Sequence, residues 1–87
     1  MRKIENTNQF KRDFKKHGAM DSALIEVLYK LANDEVLNPK YCDHPLSGEW
    51  SDHRDCHIKP DIILIYRKVG NDILQLVRIG SHSELGL

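Results

Sequence analysis

The amino-acid sequence predicts a small α+β domain in which a helical hairpin packs on one face of a small antiparallel sheet. Three observations lead to this fold class. Apolar residues in the N-terminal third recur with helical spacing, those after residue 50 alternate with a period of two, and an irregular segment separates the two regions. The predicted order of elements is therefore β-α-α-β-β-β, which is typical of the α+β class.

Length and composition agree with a single domain over residues 1–87. Hydrophobic residues make up 40% of the chain and charged residues 30%, a balance that excludes a disordered protein. The longest apolar run, from Ile62 to Tyr66, is far shorter than the about 20 residues that a membrane span needs. Because no apolar segment of a secretory signal follows the first residues, we expect a cytoplasmic protein without a membrane partner.

Two helices are predicted in the N-terminal third, after a short edge strand over residues 2–5. The side chains of Asn6 or Thr7 can cap the first helix, and Gly18 is suited to the position after its end. Asp21 or Ser22 can cap the second helix. One face of that second helix is apolar, and its residues are Leu24, Val27, Leu28 and Leu31.

Basic side chains are concentrated on the first helix. Residues 1–17 carry six lysines and arginines and only two acidic residues, although the formal net charge of the chain is zero. Such a face can contact a polyanion or can simply be solvated. The basic residues opposite its apolar side are Lys11, Arg12, Lys15 and Lys16.

Three strands are predicted after an irregular connection over residues 33–49. The first strand covers residues 50–59, and its alternation places Asp55, His57 and Lys59 on one face. The second strand covers residues 61–69 and is apolar on both faces, which indicates a central position. Residues 70–71 form a hairpin turn before the third strand over residues 73–79.

Titratable side chains gather near the ends of these strands. Asp55 and His57 share a strand face, and Asp61 begins the neighbouring strand. His82 follows the last strand, and His44 lies in the long connection. Three imidazoles and two carboxylates can transfer protons in both directions near neutral pH. They form a candidate catalytic set, with solvated surface residues as the alternative.

The two cysteines, Cys42 and Cys56, are expected to be free thiols in a reducing compartment. With His44 and His57 they form a possible zinc set. However, ligand pairs in zinc sites are normally separated by about two to four residues, and neither pair here has that spacing. A zinc-binding module is therefore a minor alternative, and we expect no metal and no cofactor.

The second half of the chain resembles the YafQ branch of the RelE/ParE toxin superfamily. Six short motifs carry this resemblance in register between residues 43 and 85, and the helical hairpin before them fits the same fold. They are Asp43-His44-Pro45-Leu46, Gly48 with Trp50, Arg54-Asp55-x-His57, Pro60-Asp61, Ile63-Leu64-Ile65-Tyr66 and Arg78-x-Gly80-Ser81-His82.

The resemblance implies the RelE-like fold and a toxin of a type II toxin–antitoxin system. Such a toxin is a metal-independent endoribonuclease that cuts messenger RNA in the ribosomal A site. The ribose 2′-OH attacks the neighbouring phosphate, a base takes its proton, and an acid protonates the leaving 5′-oxygen. The implied partners are a cognate antitoxin, the ribosome with its messenger RNA, and operator DNA bound through the antitoxin.

The motif match implies an active-site set of His44, Asp55, His57, Asp61 and His82. Their roles are hypotheses from the chemistry. We expect His82 to be the general acid and His57, or Asp61 acting with His44, to be the base, and we expect Asp55 to orient an imidazole. Arg78 and Lys59 would bind RNA phosphate, with a structural ion pair as the alternative for Arg78. The basic helix face would contact ribosomal RNA, whereas His17 and His53 match no motif and are left out of the predicted site.

Two other functions stay open, one because of the shared fold and one because of a departure from the family pattern. The family ends with an aromatic residue near the site, and Gly86 stands at that position here. A degenerate toxin that only binds antitoxin and operator DNA is therefore one alternative. A ParE-like inhibitor of DNA gyrase is the other, although such a protein needs no cluster of histidines.

Overall fold

Five strands and three helices form the part of the chain that the computed structural model describes, residues 1–18 and 20–87. The strands are β1 (Lys3–Asn6), β2 (His44–Pro45), β3 (Arg54–Lys59), β4 (Ile62–Val69) and β5 (Ile73–Gly80). The helices are α1 (Asn8–His17), α2 (Ser22–Ala32) and α3 (His82–Leu85). Single turns of 3₁₀ helix cover Pro39–Tyr41 and Gly48–Trp50. None of the described helices is long and apolar enough to cross a membrane.

The strands make one mixed sheet in the order β1-β5-β4-β3-β2. The predicted α+β class and the antiparallel arrangement of β3, β4 and β5 are confirmed. β1 instead pairs in parallel with β5, with Lys3 opposite Ile73, so the sheet is mixed and not purely antiparallel. Residue patterns indicate that an edge strand exists, but its direction depends on how α1 and α2 return the chain across the sheet.

Both predicted helices begin at side-chain caps. Thr7 Oγ1 accepts a hydrogen bond from the Phe10 N–H, and Asp21 Oδ1 accepts one from the Leu24 N–H. At the end of α1, the Gly18 N–H donates to the Phe14 carbonyl. These contacts select one of the two candidate caps predicted for each helix.

The two faces of the sheet differ in what covers them. Helices α1 and α2 cover one face, and the main core there includes Leu24, Val27, Cys56, Leu64 and Tyr66. We call the other side the open face; a smaller cluster of Ile63, Ile65 and Leu85 lies on it, with Leu46, Trp50 and Val77 packed alongside. The helical hairpin therefore leaves one sheet face available for a site.

Three element predictions need correction. The first long strand begins at Arg54 and not at Trp50, because Asp52 has φ +68° and so interrupts the extended chain. His44–Pro45 forms a two-residue edge strand inside the segment predicted as a loop. The residues from His82 to Leu85 form the helix α3, which the strand pattern did not predict.

Candidate active site

Two histidines meet on the open face through the register of the central strand. Ile63 of β4 lies opposite His57 on one side and opposite Gly80 on the other. α3 begins directly after β5, so His82 arrives beside His57. The two imidazoles are in edge-to-face contact with ring centroids 5.2 Å apart.

The third histidine is paired with a buried carboxylate. His44 on β2 lies opposite Asp55 on β3, and its Nδ1 is 3.1 Å from Asp55 Oδ1. The same Nδ1 is 2.8 Å from the Cys42 carbonyl oxygen, which can only accept a hydrogen bond. Nδ1 therefore carries a hydrogen, and in the neutral ring Nε2 has a free lone pair.

Asp55 lies beneath these imidazoles and is only 3% exposed. Its Oδ1 accepts no hydrogen bond from the described residues, because the hydrogen of His44 points to Cys42. Burial raises the pKa of Asp55, and His44, His57 and His82 lower it in part. The carboxylate of Asp55 is thus poorly solvated in its charged form.

Asp61 contacts a different imidazole from the one predicted. Its Oδ1 is 3.5 Å from both the Nδ1 and the backbone nitrogen of His82, and its side chain is 75% exposed. The predicted pairing of Asp61 with His44 is therefore not seen. Each carboxylate of the set serves one histidine, Asp55 beside His44 and Asp61 beside His82.

Arg78 is held by a carboxylate from the first helix. Its Nε and Nη2 donate to the two oxygens of Asp13 at 2.7 and 3.2 Å. Asp13 Oδ2 also accepts a hydrogen bond from the Ile79 N–H at 3.2 Å. The pairing of β1 with β5 ends at Leu76, so Ile79 lies beyond the part of β5 that β1 covers. Burial raises the pKa of Asp13, but the bonds from Arg78 and Ile79 outweigh it, so that the pKa is lowered.

Arg78 nevertheless remains accessible from the open face. Its Nη1 has no partner in the described part of the chain, and the side chain is 24% exposed. It lines a cleft of about 700 Å³ between α3 and the 3₁₀ turn at Trp50. Arg78 therefore forms a structural ion pair with Asp13 and also keeps Nη1 accessible to an anion.

Lys59 is turned away from the histidines. Strand alternation predicts it on the face of His57, but a bulge between His57 and Lys59 shifts the register. Its Nζ instead lies 2.7 Å from Asp21 Oδ2 at the start of α2.

The basic face of α1 is exposed as predicted and borders a shallow cleft of about 390 Å³ beside α3. Arg12 donates to Gln9, and Lys16 lies 3.5 Å from Glu84. The four basic residues of this face of α1 are Lys11, Arg12, Lys15 and Lys16.

The zinc alternative does not fit the geometry. Cys56 is buried in the helix-side core, where burial raises the pKa of its thiol, whereas His57 lies on the open face. Cys42 is an exposed free thiol. Within residues 1–18 and 20–87, no three His, Cys, Asp or Glu side chains converge closely enough to hold a metal ion.

Sequence reasoning missed a group that contacts the site, the carboxylate of Glu84 on α3. It accepts from the Ser81 N–H and bonds the Ser81 hydroxyl, and it contacts His17 at the end of α1. These bonds lower the pKa of Glu84 to about 2, with the Ser81 N–H as the largest cause. The sequence does contain a signal for this short helix. Ser81-x-x-Glu84 is a capping-box pattern, and Gly86 is a residue type that commonly ends a helix.

Comparisons with known proteins agree with this architecture. A family model described as "Bacterial toxin of type II toxin-antitoxin system, YafQ" matches residues 2–86. The mRNA interferase toxin YafQ of Escherichia coli is 36% identical, over 97% of this chain and 95% of that protein. A copper-bound mutant toxin from Helicobacter pylori superposes with a TM-score of 0.89 at 46% identity, covering 98% and 99% of the two chains. The E. coli DinJ–YafQ complex superposes with a TM-score of 0.79 at 36% identity, over 98% of each chain. The chain therefore belongs to the YafQ family of bacterial toxins of type II toxin–antitoxin systems.

Proposed function

We propose that this toxin is an endoribonuclease that cuts messenger RNA in the ribosomal A site. The observation that carries the proposal is the contact of the His57 and His82 imidazoles on the open face, with the His44–Asp55 pair on the adjoining strands. The name of the E. coli relative, mRNA interferase toxin, supports the same substrate. Cleavage follows the attack of a ribose 2′-OH on the adjacent phosphate.

Acid and base act on oxygens of the same phosphorus atom, so their side chains must be neighbours. His57 and His82 meet this requirement, with ring centroids 5.2 Å apart. His57 takes the proton of the 2′-OH, and His82 protonates the leaving 5′-oxygen. Asp61 orients His82 from its Nδ1 side, and His44 with Asp55 supports the positive charge that His57 gains.

The negative charge that develops on the phosphate needs a cation beside it. Arg78 fills this role with the guanidinium nitrogen that Asp13 leaves free. We assign no part in this step to Lys59, because the bulge after His57 directs its side chain towards Asp21 at the start of α2. No metal ion is used, since the acid–base pair and the guanidinium supply the proton transfers and the charge.

The proposed partners follow from the exposed surface and the relatives. The basic face of α1 contacts ribosomal RNA in the cytoplasm, where its exposed cations replace counterions of the phosphates. A cognate antitoxin neutralises the toxin, as the E. coli DinJ–YafQ complex suggests by analogy, and carries it to operator DNA.

Primer extension on messenger RNA in a purified translation reaction tests this function. We expect the wild-type protein to create new ends at A-site codons only with ribosomes present. His82→Ala should lower the cleavage rate by at least about 100-fold, because the leaving oxygen loses its acid. His53→Ala is the matched control, since the His53 ring bonds the Ser51 carbonyl and contacts Trp50 and is not part of the proposed catalytic set.

Antitoxin binding measured in parallel separates loss of chemistry from loss of fold, and His82→Ala should bind as the wild type does. Cleavage by His82→Ala at the wild-type rate would contradict the role of His82. Growth arrest without any cleavage by the wild type would favour a gyrase-type target instead. A wild type that neither cuts nor arrests growth would be a degenerate toxin.

A further inference from the structure

We infer that His17 is a positioning residue for cleavage, because through Glu84 it fixes the short helix that begins with His82. The inference rests on the proposed function of His82 as general acid. Its basis is a chain of contacts from α1 to α3 that lies outside the predicted catalytic set.

α3 is a single turn that is closed at both ends by its own residues. At its start, Glu84 Oε1 accepts from the Ser81 N–H at 3.0 Å and bonds the Ser81 hydroxyl at 2.8 Å. At its end, the Leu87 N–H donates to the His82 carbonyl at 3.0 Å, and Gly86 has φ +72°. Because one turn is not stable alone, the position of α3 depends on what holds it to the rest of the molecule.

Two contacts hold α3 firmly. Leu85 is 4% exposed and packs on Ile63 and Ile65, which fixes one side of the turn. On the other side, Glu84 Oε2 lies 2.5 Å from Nε2 of His17, the last residue of α1. The carboxylate therefore uses one oxygen inside α3 and the other to reach α1. The third contact, from Asp61 to His82, is long at 3.5 Å and exposed.

His17 is better suited to this role than its neighbour Lys16. Lys16 Nζ is 3.5 Å from the same oxygen, but its side chain is 73% exposed, so solvent and salt screen the contact. The His17 side chain is 24% exposed, and its imidazole has only two rotatable side-chain bonds to order.

α3 lies beside the end of β5 without being wedged against it. A Cβ atom added at Gly80 would lie 3.4 Å from Glu84 Oε1 and 3.6 Å from Leu85 Cδ2, which are ordinary van der Waals distances, so a side of α3 that loses its contact has room to move. Loss of the His17 contact releases the side of α3 opposite Leu85. Small displacements of a catalytic group are costly, and about 1 Å can lower a rate about 100-fold.

The experiment compares His17→Ala with the conservative variant His17→Gln in the ribosome-dependent cleavage assay. His17→Ala should lower kcat about 10- to 100-fold, with KM for programmed ribosomes changed less than about threefold. His17→Gln should recover most of kcat, because its amide nitrogen can donate to Glu84 Oε2. His53→Ala is again the control histidine.

Imidazole spectra from NMR provide a readout that does not need cleavage. In His17→Ala, the ring signals of His82 should shift and its ring should gain mobility, while those of His44 stay as in the wild type. Wild-type kcat together with unchanged His82 signals in His17→Ala would overturn the inference. A wild type that cuts no RNA would refute the proposed function, and the His82 signals would still decide whether His17 positions α3.

Discussion

At the scale of single residues, burial makes the charged form of Asp55 costly to the stability of the fold. Its Oδ1 is buried without a hydrogen bond, and burial raises its pKa above the ordinary value of 3.8. A charge that is poorly solvated in the folded protein but hydrated in the unfolded chain lowers the free energy of unfolding.

Asp55→Asn should therefore raise the free energy of unfolding by about 1–2 kcal/mol at neutral pH while lowering the rate of cleavage. This gain in unfolding free energy should be complete at pH values well above the pKa of Asp55 in the folded protein, and it should shrink as the pH falls through that pKa. Below about pH 3.8 the gain should vanish, because Asp55 of the wild type is then protonated in both the folded and the unfolded protein. Urea unfolding of both proteins across this pH range checks the prediction. Equal stability of the two at neutral pH would contradict it.

At the scale of secondary structure elements, the Asp13–Arg78 pair joins α1 to β5 at the point where β1 ends. Asp13→Ala leaves the Arg78 guanidinium and the Ile79 N–H without their acceptor, and Asp13 is only 8% exposed. We expect the free energy of unfolding to fall by about 2–3 kcal/mol. The exposed Lys16–Glu84 pair is the control, and Lys16→Ala should cost less than about 1 kcal/mol. Urea denaturation that gives both variants the same loss would refute a special role for Asp13.

The elements also mark the limit of what the sequence predicts. Periodicity and caps predicted α1, α2 and the three long strands, because each depends on neighbours in the chain. β2 and α3 are too short to show a period, and α3 was visible only in its capping box, Ser81 with Glu84.

The site was predicted better as a set of residues than as an arrangement. The motifs identified the histidines that the fold brings together on the open face, but the bulge after His57 sends Lys59 to α2. Similarly, Asp61 joins His82 and not His44. Pairings of this kind depend on strand register and on long-range contacts, which a local pattern does not contain.

At the scale of the whole molecule, several carboxylates make the fold sensitive to acid. The pKa of Glu84 is about 2, and the pKa values of Asp13, Asp21 and Asp34 are also lowered by their partners. Because the pKa values of these carboxyl groups are lower in the folded protein than in the unfolded chain, their ionised forms stabilise the fold. This stabilisation is complete above about pH 4.5 and is lost as the pH falls towards 2.

We therefore expect the melting temperature to fall steeply between about pH 4.5 and pH 2, as measured by circular dichroism. Glu84→Gln should flatten this dependence, because it removes the group with the largest lowering of pKa. Asp55 opposes the trend, since its own contribution improves with protonation. A curve for Glu84→Gln parallel to that of the wild type would show that Glu84 is not a source of the acid sensitivity.

The parallel pairing of β1 with β5 links residues that are about seventy positions apart in the chain, Lys3 with Ile73. During synthesis, β1 has no strand to pair with and α1 has no β5 to cover until residues 73–80 have left the ribosome. His57 meets His82 only after the same event. Four members of the proposed catalytic set precede β5, so a nascent or prematurely terminated chain carries these four without His82. The fold therefore delays assembly of the proposed nuclease site until residues 73–82 of the chain have left the ribosome.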